Sequence, residues 1–288
     1  MNHNTNTRAR LLISCLDQPG IVSAVSTFLH QYKANIVQSD QYSTDPSGGM
    51  FFMRIEFDLF EDGYEFSLIR TAFTDVAKSF NMDWRMELAS RRKKMAIFVS
   101  KEDHCLFELL WKWRAKEIDV EIPLVISNHP NLKEQVEAYG LTFIHIPVTK
   151  STKKEAEQKA VELLHEHNID FIVLARYMQI LSPDFVGTFP KRIINIHHSF
   201  LPAFIGANPY AKAFERGVKL IGATAHYVTN DLDEGPIIEQ DILRVNHRYT
   251  TEQLKVAGRN VERIALARAV TWHINDQIIV HGNKTVVF

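Results

Sequence analysis

Cysteine is almost missing from this chain: only Cys15 and Cys105 occur among 288 residues. Two cysteines so far apart make neither a paired zinc-ligand spacing nor a disulfide framework, and a reduced compartment is expected. An excess of charge of either sign is missing too, with 33 Lys plus Arg against 34 Asp plus Glu. Without a broad basic field, nucleic acid and acidic membranes are not expected as partners, and a small molecule is. No apolar run approaches the roughly 20 residues of a membrane span, and Met1 to Thr7 is polar, so a cytoplasmic protein is expected. Proline, glycine and serine show no excess, and there is no internal repeat or low-complexity tract. What is present is ordinary globular chemistry, 45% hydrophobic and 23% charged, at a length that favours two units, each with its own core.

The front of the chain reads in alternating periods. Ala9, Leu11, Ile13 and Cys15 line one side of a strand, and Asp17-Gln18-Pro19-Gly20 turns into a helix whose inner face is predicted as Val22, Val25, Phe28, Leu29 and Tyr32. The chain extends again from Asn35 to Tyr42. After the turn Asp45 to Gly49, Phe51, Met53, Ile55 and Phe57 alternate with Phe52, Arg54, Glu56 and Asp58, which predicts a strand buried on one face. Ile69, Ala72, Phe73, Val76 and Phe80 return to helical spacing, and Trp84, Met86 and Leu88 alternate once more. The order βαββαβ predicts a ferredoxin-like antiparallel sheet with two helices on one face over residues 1–89. Its strand, its Asp17-Gln18-Pro19-Gly20-Ile21 turn, the following helix and Asn35-Ile36 resemble an ACT module. That resemblance implies a regulatory domain with an amino-acid effector near Asp17, Pro19, Gly20, Ile21 and Asn35, paired across subunits in a homo-oligomer.

Ser90-Arg91-Arg92-Lys93-Lys94 reads as a basic linker over residues 90–94. Beyond it, over residues 95–288, continuous apolar runs at 96–99, 122–126, 143–146 and 171–175 alternate with helical segments, as strands covered on both faces require. The chain is therefore α/β, with a Rossmann-like, mostly parallel second domain. Thr152-x-x-Glu155 and Thr250-x-x-Gln253 are expected to cap helices, the second carrying Leu254, Ala257, Val261, Ile264, Ala265 and Ala269 inward. The last two strands are expected around the turn His281 to Lys284.

Ligands of open parallel sheets bind beyond the carboxyl ends of strands. There, Asn195 and His197 face one side of a strand, two residues apart, and a later strand releases into the carboxylate-rich loop Thr229 to Pro236. An amide, an imidazole and a carboxylate could polarise a carbonyl and handle a proton, although by spacing alone a structural role is the commoner reading. The adjacent histidines and His226 lack a ligand spacing such as His-x-x-x-His, so no metal is expected.

Asn195-Ile196-His197-His198-Ser199-Phe200-Leu201-Pro202 with Gly206, His226 with Leu232-Asp233-Glu234-Gly235-Pro236-Ile237, and Leu174-Ala175-Arg176-Tyr177-Met178-Gln179-Ile180-Leu181 together resemble the signature of enzymes using 10-formyltetrahydrofolate. With the ACT-like front domain, the whole chain resembles the formyltetrahydrofolate deformylases. The resemblance implies that Asn195 and His197 stabilise an oxyanion at the formyl carbon and that Asp233 manages protons through a water. It implies a folate site formed by Arg176, Tyr177, Met178, Ile180 and Leu181 and by the loop with Asp231, Glu234 and Gly235, largely through backbone groups. Ser199 and Gly206 would shape the strand-end loop and His226 would line the site. No cofactor beyond the folate is implied. The reaction would balance the one-carbon pool that feeds purine synthesis, with glycine or methionine as natural effectors.

Two other readings have discriminators. Formyl transfer to an amine such as glycinamide ribonucleotide would call for a glycine-rich phosphate cradle, whereas Val99-Ser100-Lys101-Glu102-Asp103-His104-Cys105 has no glycine and two carboxylates. A non-catalytic folate or amino-acid sensor would have no need of all three catalytic residue types in register.

Overall fold

The computed structural model describes residues 7–45, 47–60, 65–202 and 209–288. Contacts divide the chain into two units: residues up to Arg92 with Asn275–Ile279 and Val286–Phe288, and Lys93–Ile274 with Val280–Thr285. Lys93 and Lys94, read from sequence as linker, lie within a strand. Among the described residues no helix is long and apolar enough to cross a membrane.

The first unit runs β1 (Thr7–Leu16), α1 (Ile21–Gln31), β2 (Asn35–Ser43), β3 (Met50–Leu59), α2 (Phe66–Ser79) and β4 (Asp83–Leu88). Its sheet has the order β2-β3-β1-β4, antiparallel throughout, with Ile13 opposite Met53 on one side and Trp84 on the other. Ala9, Leu11, Ile13 and Cys15 meet the helices in a core with Phe57 and Phe73, where each fully buried aromatic ring contributes about 2–3 kcal/mol of transfer free energy.

Two details differ from the sequence pattern. Along α1 the buried stripe is Ile21, Val25, Phe28 and Leu29, and Val22 is exposed, because positions four and seven from Ile21 complete one face. Along β3, Phe52 and Arg54 are as buried as the core residues between them. The Arg54 guanidinium donates to the carbonyls of Asn275 and Asp276 at 3.0 and 2.8 Å and to Glu56, so the second face of the sheet is covered by chain from the far end of the sequence.

The second unit runs β5 (Lys93–Val99), α3 (His104–Arg114), β6 (Val120–Ser127), α4 (Lys133–Glu137), β7 (Thr142–His145), α5 (Lys153–Glu166), β8 (Phe171–Ala175), α6 (Pro183–Thr188), β9 (Ile193–His197), α7 (Pro209–Arg216), β10 (Leu220–Tyr227), β11 (Ile237–Arg244) and α8 (Thr251–Ile274). The hairpin β12 (Ile278–His281) and β13 (Lys284–Val287) follows. The seven-stranded sheet has the order β11-β10-β9-β8-β5-β6-β7. It is parallel from β7 to β9 and antiparallel at β10 and β11.

From β5 the chain winds outward through β6 and β7, then returns to β8 on the other side of β5. The crevice beyond the carboxyl ends of β5 and β8 is thus a topological switch point, where open α/β sheets bind ligands.

The two expected caps part ways. Thr250 and Gln253 exchange reciprocal hydrogen bonds at 2.9 and 3.3 Å, the capping box of the long helix. Thr152 makes no such bond to its helix; its hydroxyl accepts from the Thr149 amide at 3.1 Å instead.

Candidate active site

Ile193, Ile194 and Ile196 bury β9 in the sheet, and its polar residues emerge at the switch-point end. Asn195 is half-buried and His197 is 6% exposed. In the antiparallel pair β9–β10, His226 stands opposite Asn195 and Thr224 opposite His197. The loop after β10 then brings Asp233 back over this end, bent by Gly235-Pro236 and tied down by the Tyr227 amide donating to the Pro236 carbonyl at 2.9 Å.

His197 Nδ1 lies 3.1 Å from Asp233 Oδ2, and His226 Nε2 lies 3.6 Å from Oδ1. Burial opposes ionisation of Asp233, but the hydrogen bond from His197 and the imidazoles beside it outweigh that and hold the carboxyl well below its usual range. An ionised carboxylate only accepts, so His197 Nδ1 carries the hydrogen. Its Nε2 is buried with no hydrogen-bond partner among the described residues.

Asn195, His197 and Asp233 line one cavity of about 830 Å³ together with Arg176, Tyr177, Met178 and Ile180. Met178 and Ile180 are 59% and 61% exposed, as side chains lining an open slot are. Tyr177 is instead a core residue, stacked edge-on to Phe98 at 5.2 Å, and Leu181 packs on the same core. Arg176, Met178 and Asp233 adopt φ of 63°, 56° and 58°, a left-handed conformation that turns successive peptide groups in different directions.

Other expected site residues are placed less directly. Asp231 and Glu234 are exposed and Gly235 is buried on the same loop, of which Leu232 and Asp233 reach the cavity lining. The Ser199 carbonyl accepts from Thr224 Oγ1 at 2.9 Å, and its side chain lines a neighbouring apolar cavity of about 190 Å³. Gly206 lies outside the described residues. In the first unit Gly20, at φ 97°, precedes α1, Ile21 is buried, and Pro19 and Asn35 are exposed. The Asp17 carboxylate accepts from Ser43 Oγ.

The opposite end of the cavity holds a cluster the sequence reading overlooked. Glu262, 1% exposed, accepts from His104 Nε2 at 2.8 Å and Tyr210 Oη at 2.7 Å, with Arg176 Nε at 3.4 Å. Burial opposes its ionisation, and His104, Arg176 and Tyr210 together overcome that and keep its pKa lowered. The signal was present: residues 254, 258, 261, 262, 265 and 269 form one face of α8. That face turns Glu262 inward and leaves Ile264, read from sequence as inward, 43% exposed. Gly258 admits the tyrosine, since a Cβ there would lie 2.0 Å from Tyr210 Oη.

His104, Cys105 and Glu262 bring three ligand-type atoms within 4.8 Å of one another. Arg176 beside Glu262 opposes a cation there, and burial pushes the Cys105 thiol well up, away from the thiolate that metals require.

Two family models match the chain, the ACT domain at residues 9–63 and the formyl transferase domain at residues 93–270. A formyltetrahydrofolate deformylase of Bacillus subtilis is 60% identical over 281 residues, covering 98% of this chain and 94% of its own. The crystal structure of a formyltetrahydrofolate deformylase from Pseudomonas syringae superposes with a TM-score of 0.95 at 45% identity, covering 99% of this chain and 96% of that one. A glycinamide ribonucleotide transformylase from Symbiobacterium toebii matches with a TM-score of 0.65 at 27% identity, covering 70% of this chain and 96% of its own. Both domains match in order and the relatives match from end to end, so the chain belongs to the formyltetrahydrofolate deformylase family.

Proposed function

We propose that this protein hydrolyses 10-formyltetrahydrofolate to tetrahydrofolate and formate, with Asn195, His197 and Asp233 as its catalytic residues. The observation that carries the reading is the convergence of an amide, an imidazole with a bare buried nitrogen and an ionised carboxylate on one cavity at the switch point. Water attacks the formyl carbon and its carbonyl becomes an oxyanion. Asn195 stabilises that charge as a donor, and so does His197 when its Nε2 carries a proton, each preorganised donor being worth about 3 kcal/mol in comparable sites. Asp233 takes a proton from the attacking water and passes it to the folate nitrogen as the carbon–nitrogen bond breaks, leaving formate.

The pterin occupies the slot beside Met178 and Ile180. It is held largely by backbone groups of residues 176–181 and of the loop carrying Asp231, Asp233, Glu234 and Gly235, with His226 behind the slot and Ser199 shaping the chain after β9. This chemistry requires no metal.

The likeness to glycinamide ribonucleotide transformylase favours a second reading, formyl transfer to an amine. Against a phosphorylated acceptor stands the pairing of the cavity's cations among the described residues, each with a carboxylate beside it: Arg176 with Glu262, Arg259 with Glu102 at 3.1 Å and Lys255 with Glu252 at 2.7 Å. Incubation with 10-formyltetrahydrofolate and no acceptor, following both products, separates the readings. Stoichiometric formate and tetrahydrofolate, reduced about a thousandfold in Asp233→Asn with folate binding retained, are expected. Release only after an amine is added would sink the proposal.

The front domain is proposed to sense glycine or methionine at Asp17, Pro19, Gly20, Ile21 and Asn35, in a cytoplasmic homo-oligomer. Isothermal titration with either amino acid, showing neither heat nor altered kinetics, would reject the sensor.

A further inference from the structure

His226 touches the cavity only through its neighbours, yet it is 2% exposed and stands directly opposite Asn195 across the β9–β10 pair. Its Nδ1 lies 3.0 Å from the carbonyl oxygen of Tyr227. A carbonyl can only accept, so Nδ1 carries the hydrogen, and a ring holding that one hydrogen leaves Nε2 with a bare lone pair. That lone pair faces the amide of Asn195, 3.2 Å from its nitrogen.

An asparagine side chain can be turned either way round at almost no intrinsic cost, so its orientation is decided by the partner it meets. Here the partner is an acceptor. The reverse orientation would set the amide oxygen against the Nε2 lone pair, with no hydrogen between them, inside the sheet. One N–H of Asn195 is thus committed to His226, and the second remains to be offered to the cavity that Asn195 lines. Asp233 Oδ1, 3.6 Å from Nε2, is beyond direct hydrogen-bond distance.

We infer that His226 is a positioning residue: held in one tautomer by the Tyr227 carbonyl, it fixes the amide of Asn195 as a donor toward the formyl oxygen. The inference rests on the deformylase reading for its effect on rate, although the tautomer itself does not.

Two measurements test it. Long-range ¹H–¹⁵N correlation on the intact wild-type protein at neutral pH should show His226 with its hydrogen on Nδ1 and a bare Nε2; an Nε2–H tautomer or an imidazolium would overturn the inference. This readout needs no substrate, so a chain that failed to deformylate would leave it intact while defeating the proposed function.

In kinetics, His226→Phe removes the acceptor and should lower kcat by about 100-fold with KM changed less than about threefold. His226→Gln, whose amide oxygen can stand where Nε2 stood, should recover at least about tenfold of that loss. In an Asn195→Ala background, replacing His226 by Gln or Phe should change kcat less than about threefold, because there is no amide left to orient. Equal losses in the presence and absence of Asn195, or an unaltered kcat in the single variants, would overturn the assignment.

Discussion

Gly235→Ala tests the link between backbone packing and chemistry most sharply. A Cβ at Gly235 would lie 1.8 Å from the Tyr227 carbonyl oxygen and 3.0 Å from its carbon, whereas a carbon and a carbonyl oxygen rest at about 3.3 Å. The group struck is backbone at the end of β10, itself tied to His226 Nδ1 at 3.0 Å. The loop must therefore yield, by about 1.5 Å, and Asp233 is two residues from the point of collision. Applied to the 3.1 Å bond between His197 and Asp233, a shift of that size takes the pair out of hydrogen-bond range. A misplacement of about 1 Å typically costs about 100-fold in rate.

Turnover of 10-formyltetrahydrofolate should thus fall by about 100-fold or more, while thermal unfolding reports a still-folded protein. Gly187→Ala serves as control: nothing lies within 4 Å of its added Cβ, its site on α6 is exposed, and activity should be unchanged. Turnover of Gly235→Ala within about threefold of wild type would refute the claim that this glycine sets the position of Asp233.

Gly258→Ala should expel Tyr210 from beneath α8 and strip one donor from buried Glu262. A loss of about 1–3 kcal/mol in denaturant unfolding is expected, and an unchanged midpoint would show that the tyrosine gives way freely. His198 is half-buried, and this burial together with the charge of Arg176 lowers its pKa from 6.5 to about 4 despite the opposing charge of Glu262. Its folded pKa is depressed, so the unfolded chain binds the extra proton. Stability is full above pH 6.5 and falls as the pH drops toward 4, by at most roughly 3 kcal/mol. His198→Asn should flatten that slope, and an equal slope in variant and wild type would exclude the histidine as its source. Met178→Gly keeps a residue at ease at φ 56°, so if backbone groups hold the pterin, KM should move less than about threefold; a tenfold rise would assign the contact to the side chain.

Much of the architecture was legible because one face of each element repeats at the period of its backbone. The strands of the first unit and the apolar runs of the second are of this kind, and the switch-point position of Asn195 and His197 follows from them. The failures share a physical origin in contacts between residues distant in sequence. Phe52 and Arg54 alternate as a solvent face should, yet both are buried, Arg54 against the carbonyls of residues 275 and 276. Thr152 has the sequence of a cap, but Thr149 competes for its hydroxyl. Glu262 was passed over because a carboxylate on a helix is ordinarily solvated. Only the partners on α3, after β8 and on α7 make burial tolerable, and none is near it in sequence.

The left-handed residues at the cavity show how such a site is sustained. Asn and Asp tolerate φ > 0 through their short polar side chains, whereas Arg and Met have no such relief, and each such residue costs on the order of 1 kcal/mol. Arg176 and Met178 carry this cost in full and Asp233 less of it, and all three line the same cavity. The strand ends and loops that hold them are anchored by bonds independent of any ligand. The Ser100 amide donates to the Arg176 carbonyl at 3.2 Å, and the Tyr227 amide holds Pro236. The strain therefore exists before substrate arrives, and the backbone beside the slot needs no reorganisation at the moment of binding.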